Sequence, residues 1–154
     1  MGKTRSTLVL FKPKALKKHG INTMLGKLCE FGANQGFTVA EVKTTRLTKE
    51  KAQKFYAEHE GKDFYDLLVN FISSRNIVAI RIEYDAKDVN FITRFREQVI
   101  GCTDPNKAAP GTMRFLFGSR KEFAEGLPAN GVHASDSPES ARRELKFFFR
   151  HFNS

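Results

Sequence analysis

A single histidine, His133, sits in the stretch Asn130-Gly131-Val132-His133-Ala134-Ser135-Asp136-Ser137-Pro138-Glu139-Ser140-Ala141, which reads as a short strand, a loop and a helix start. Ser137 suits the N-cap, Pro138 the first helical position, and Glu139 the positive end of the helix dipole. A neutral imidazole is a nucleophile at physiological pH, and a helix N-terminus beside it favours an anion. A histidine held there can accept a phosphoryl group and pass it on. On residue types alone, a lone histidine after a strand is more often structural.

Phosphate chemistry needs donors. The sequence has neither Gly-x-x-x-x-Gly-Lys-Ser/Thr nor Gly-x-Gly-x-x-Gly, so no glycine loop cradles phosphates. Side-chain donors must replace it. Lys12, Tyr56, Thr103, Arg114 and Asn130 are the candidates, drawn from separate segments that only the fold can gather.

The motifs supply the link. Asn-x-x-His-x-Ser-Asp-Ser-x-Glu-Ser-Ala resembles the active-site signature of the nucleoside diphosphate kinases. Thr7 to Pro13 resembles that family's first strand and lysine. Phe55 to His59, with Phe64-Tyr65, resembles its tyrosine and base-stacking phenylalanine. Ile100 to Pro105 and Ala109 to Arg114 resemble its threonine and arginine segments. The likeness runs from about residue 5 to residue 149.

The resemblance implies that His133 becomes a phosphohistidine in a ping-pong exchange between nucleoside tri- and diphosphates. It implies that Arg114 and Thr103 hold phosphate oxygens, and that Lys12 neutralises charge on the transferring group. Tyr56 would bond near the γ-phosphate, Asn130 and Lys12 would reach the ribose, and Phe64 would stack on the base. Glu144 would orient His133, with Ser135 bonded to that glutamate. Mg²⁺ would arrive with the nucleotide, with no protein metal site. The implied assembly is a homo-oligomer, a dimer-based tetramer or hexamer, with residues 108–112 at a contact.

The sequence departs from the family's pattern in places. Lys14 stands where an acid usually follows Lys-Pro. Phe115-Leu116-Phe117 follows Arg114 in place of Gly-Asp-Phe. Residues 119–129 read as an insertion ahead of the histidine strand. The family's arginine six residues before the threonine falls on Glu97, with Arg96 one step earlier. Either the helix carries an extra residue and Arg96 still reaches the site, or that contact is lost; one helical residue is a rotation of about 100°.

These residues must be positioned by recognisable elements. Thr7 to Phe11 reads as a buried strand. Ile21, Met24, Leu25 and Leu28 have helical spacing. Phe37, Val39 and Val42 suggest a second strand. Lys49–His59 and Asp63–Ile72 read as helices, the second with Phe64, Leu67, Leu68 and Phe71 on one face. Asn76–Tyr84 reads as a central strand, Ala86–Ile100 as a helix, and 101–129 as irregular. Gly131–His133 is a fourth strand, and Pro138–Phe149 the last helix. The order fits a ferredoxin-like α+β domain over residues 1–154: a four-stranded antiparallel sheet covered by helices. Most of the 15 phenylalanines then belong to the core.

The net charge of +9, from 26 basic and 17 acidic residues, attracts polyanions. Residues 1–20 hold Lys3, Arg5, Lys12, Lys14, Lys17 and Lys18 and no acid. Apart from Lys12, a solvated basic surface explains these better than a nucleic-acid interface, for which charge is the whole warrant. The 2 cysteines, Cys29 and Cys102, form no ligand pattern, and no run approaches a membrane span. An intracellular, cytoplasmic protein is expected. A nucleotide-binding scaffold of the same fold with little activity is the second reading. His19 in a lysine-rich turn, His59 at a helix end and His151 in the tail are expected to be solvated.

Overall fold

The computed structural model describes residues 2–152. Four strands, β1 (Thr4–Phe11), β2 (Phe37–Thr45), β3 (Ile77–Asp85) and β4 (Val132–Ala134), form one antiparallel sheet in the order β2-β3-β1-β4. This is the expected ferredoxin-like arrangement. Leu8, Val9, Leu10 and Phe11 are completely buried, as a central strand covered on both faces requires. A bulge between Val39 and Glu41 interrupts the β2–β3 register, which explains why alternation along β2 is imperfect.

The helices have local causes. α1 (Pro13–His19) starts with proline at a position where no amide partner is needed. α2 (Ile21–Gln35) buries Met24 and Leu28 and ends at Gly36, whose φ of 74° is the left-handed cap that closes a helix. α3 (Lys49–Phe55) is capped by Thr48, whose hydroxyl accepts the Lys51 amide at 3.1 Å. A 3₁₀ turn (Ala57–His59) then leads towards α4 (Tyr65–Ile72). The helix expected over Lys49–His59 is thus broken at Tyr56, and that over Asp63–Ile72 starts two residues later than read.

The buried side of α4 is Val69 and Ile72. The apolar face read along this helix is turned largely outward: Phe64 and Leu67 are exposed, and Leu68 and Phe71 half-buried. Helical spacing marked an apolar face without saying that a second one, one residue round, would take the core.

The helix expected over Ala86–Ile100 begins later. Asp85 to Asn90 form turns tied by the Asp85 carboxylate to the Lys87 amide at 2.9 Å. α5 (Phe91–Phe95) then continues as a π-helical turn over Arg96–Ile100, with the Gly101 amide bonded to the Arg96 carbonyl at 2.9 Å. Residues 101–129 are more regular than read: they hold α6 (Met113–Phe117) and α7 (Arg120–Ala124), the latter capped by Ser119. α8 (Pro138–Phe148) is capped by Ser137, buries Leu145 and Phe148, and packs on β1.

Candidate active site

His133 lies on β4 opposite Leu10 of β1, and the Lys12 amide extends that ladder by bonding the Gly131 carbonyl at 2.9 Å. Two neighbouring strands thereby place Lys12 beside the histidine strand. His133 Nε2 meets Glu144 Oε1 at 2.8 Å, and the Ser135 hydroxyl donates to the same oxygen at 2.7 Å. Glu144 is 4% exposed, so it is no surface helix residue. Burial alone would raise its carboxyl, but His133, Ser135 and Arg143 outweigh that and hold it below the ordinary value. An ionised carboxylate only accepts, so Nε2 carries the proton and Nδ1 keeps the free lone pair. Phe55 packs edge-on against the imidazole at 5.4 Å and restricts its ring plane.

Arg114, on α6, is buried without an acid partner among the described residues. It donates from Nε to the Val132 carbonyl and from one terminal nitrogen to the Gly101 carbonyl, each at 3.0 Å. The surface ion pair that an isolated arginine suggests is absent among the described residues. Burial, with Arg96 beside it, brings the guanidinium down to about 10 against the pull of Cys102. Arg96, Gly101, Thr103, Lys107 and Arg114 line a recess of about 420 Å³.

Arg96 reaches that recess. The π-helical turn takes up the residue by which its spacing to Thr103 exceeds the family pattern. Its Nε is buried and has no hydrogen-bond partner, which is costly unless a ligand supplies one. Of the two alternatives left by the sequence, the π turn and the recess shared with Arg114 favour the first.

Lys12 is buried, and its ammonium donates to the Asn130 side-chain oxygen at 2.8 Å. Burial first, then repulsion from Arg114, lowers it to about 7. Tyr56 is 6% exposed, more buried than an amphipathic helix residue would be, and burial followed by the charge on Glu144 pushes its phenol up. Phe64 presents its ring outward at 46% exposure, on the hairpin between α3 and α4.

Glycines let the backbones carrying these groups touch. Gly131 has a φ of 82°, and a β-carbon on it would fall 2.8 Å from the Phe117 carbonyl oxygen. One on Gly118 would fall 2.6 Å from the Arg114 carbonyl oxygen. Main chain therefore packs on main chain between Arg114 and His133.

Residues 5–154 match the sequence model of the family described as nucleoside diphosphate kinase. This chain belongs to that family. The nucleoside diphosphate kinase of Methanocaldococcus jannaschii is 40% identical over 144 residues, covering 94% of this chain and 92% of its own. That of Persephonella marina is 41% identical over 143 residues, covering 93% of this chain and 91% of its own. The crystal structure of the Aquifex aeolicus nucleoside diphosphate kinase superposes with a TM-score of 0.78 at 37% identity, over 96% of each chain. A Halobacterium salinarum nucleoside diphosphate kinase in complex with CDP superposes with a TM-score of 0.75 at 30% identity, over 96% of this chain and 88% of its own.

Membership of the nucleoside diphosphate kinases makes the chain a phosphotransferase acting on nucleotides. Sequence reasoning missed one neighbour of the site. His59, expected to be solvated, is half-buried between Tyr56 and Phe64, at ring distances of 6.0 and 5.5 Å, with Nδ1 buried and unpartnered. The break at Tyr56 that turns it inward left no periodic signal. His19 is likewise no loop residue: it ends α1 and meets Phe117 edge-on at 5.0 Å. His151 is exposed, with Nε2 3.1 Å from Glu41.

Proposed function

We propose that His133 carries the phosphoryl group between two nucleotides. The observation that carries this is the buried Glu144 carboxylate at 2.8 Å from Nε2, with Ser135 on the same oxygen. A protein that merely bound nucleotides would have no use for a desolvated carboxylate aimed at one imidazole nitrogen.

In the first half, the Nδ1 lone pair attacks the γ-phosphorus of a nucleoside triphosphate. An N–P bond forms, the bond to the β–γ bridging oxygen breaks, and the diphosphate leaves with that electron pair. In the second half, a terminal oxygen of another diphosphate attacks the same phosphorus and the N–P bond breaks. Arg114, Arg96 and Thr103 hold phosphate oxygens in the recess, their charge worth most where water is excluded. Lys12 neutralises charge on the transferring group and, with Asn130, meets the ribose; Tyr56 bonds near the γ-phosphate. Phe64 stacks on the base, which discriminates little between bases.

The recess presents Arg96, Lys107 and Arg114 with a single carboxylate, Glu97, and among the described residues no three metal-ligating side chains converge. Such a donor set fits Mg²⁺ that enters on the phosphates, where it would neutralise their charge. A homo-oligomer built from dimers is favoured by β2, a nine-residue strand open along one edge. Light scattering at micromolar concentration checks this, and the mass of a single chain would overturn it. Among the described residues no helix is long and apolar enough to cross a membrane, and a cytoplasmic setting fits the free thiols Cys29 and Cys102.

The test is incubation with labelled ATP, removal of nucleotide, and a chase with a second diphosphate. An acid-labile, base-stable phosphoprotein that surrenders its label to the diphosphate is expected. A phosphoprotein that never forms, or one that does not discharge, would overturn the proposal.

A further inference from the structure

A second cavity, of about 340 Å³, lies between α1, the end of α4 and the 119–129 stretch. Of the side chains placed around His133 it shares that of Lys12, and it also touches the bracing glycines Gly118 and Gly131; Tyr56, Phe64, Arg96 and Arg114 do not line it. Its wall carries Lys12, Lys14, Lys17, Lys18 and His19. The one acid among the described lining residues is Glu122 of α7, and Lys14 already pairs with it. The sequence's two separate departures, Lys14 and the 119–129 stretch, thus meet across this cavity.

Apart from Ser119, the rest of the lining is apolar or glycine. Phe71 and Phe117 lie on it, with His19 edge-on to Phe117 at 5.0 Å and Ala15 and Ala129 beside them. Phe71 is half-buried on the outward side of α4 and is not among the side chains of the core cluster. Lys14, Lys17 and Lys18 are exposed along this concave wall, where an anion offsets their like charges, and an aromatic slot takes a flat ring. The volume suits a molecule at the small end of ligand pockets, which start at about 300 Å³.

We propose that this cavity is a second ligand site, distinct from the phosphoryl-transfer site, for a phosphate ester that carries a flat ring and has the size of a nucleoside monophosphate. The phosphate lies among Lys14, Lys17 and Lys18, and the ring lies against Phe71 and Phe117. Because Lys12 borders both sites, occupancy here also changes the charge felt at the transfer site.

Methyl NMR of the full chain with AMP as probe tests this. AMP is expected to shift the Ala15 and Ala129 methyl resonances saturably. The Lys14→Gln/Lys17→Gln double variant is expected to weaken that response about tenfold or more, with ATP-to-diphosphate transfer unchanged when AMP is absent. Ribose 5-phosphate, which lacks the ring, is expected to bind more weakly than AMP. Shifts confined to the surroundings of Phe64 and His133 would overturn the second site. So would an Ala15 and Ala129 response that ignores the lysine changes, or ribose 5-phosphate binding as tightly as AMP. A wild type inactive in transfer that still shows the lysine-dependent response would sink the phosphohistidine reading and leave this one standing.

Discussion

Lys12 and Arg114 face one another as buried cations, and after burial it is Arg114 that does most to lower the Lys12 ammonium to about 7. Lys12 ordinarily titrates near 10.5. Between those two values the unfolded chain holds a proton that the native lysine lacks, so folding stability rises with pH across that window and the contribution is lost as pH falls towards 7. A bound phosphate reverses the preference by stabilising the charged form. ADP binding at pH 8 is therefore expected to take up protons. Calorimetry in buffers of different ionisation enthalpy measures the uptake, and Lys12→Met should abolish most of it.

His133→Ala is expected to abolish phosphoryl transfer while ADP binding stays within about tenfold, because binding rests on the other donors. Labelling with ATP and a direct ADP titration read the two effects separately. Undiminished labelling of the variant would remove His133 from the chemistry.

Glu144→Gln keeps the size of the side chain and discards its charge. The amide oxygen of glutamine still accepts but its NH2 also donates, so the imidazole tautomer is no longer fixed and the imidazole loses its anionic partner, and kcat should fall more than KM rises. The depressed carboxyl adds stability above the ordinary carboxylate range, lost as pH falls through its native value. Acid denaturation curves of wild type and variant should accordingly converge at low pH. Curves that stay parallel would mean Glu144 is protonated throughout.

Arg96→Ala and Arg114→Ala should each slow transfer by ~10²-fold or more, as expected for a charged donor to a transferring phosphate. The π-helical turn yields a sharper test. Deleting Glu97, which is exposed, removes the surplus residue and lets the turn relax to α-helix without withdrawing Arg96. The deleted protein should remain folded and transfer phosphate within about tenfold of wild type. Loss of activity comparable to Arg96→Ala would show that Arg96 needs the wider turn.

The sheet was legible because Thr7 to Phe11 and Asn76 to Tyr84 carry strong apolar runs, and the histidine segment because its motif is long. The resemblance named Lys12, Tyr56, Arg114 and Glu144; all four are buried, Glu144 against His133 and Lys12 against Asn130. The position of Arg96 was not legible, since counting along a chain assumes a constant helical pitch and a π turn breaks it. His59 and α1 were missed because short helices and a break at Tyr56 leave too few residues for a period to show. The pairing of Lys14 with Glu122 joins segments more than a hundred positions apart, which no local pattern reveals.

Gly118 and Gly131 sit where peptide planes, not side chains, set the distance between the arginine and the histidine. A site braced in this way owes little to rotamers and so has few soft joints through which a neighbouring substitution can be absorbed. Neither glycine can gain a β-carbon unless main chain moves. A β-carbon at one of them moves the phosphate-holding arm and the accepting arm together, and selection meets the pair as a single trait.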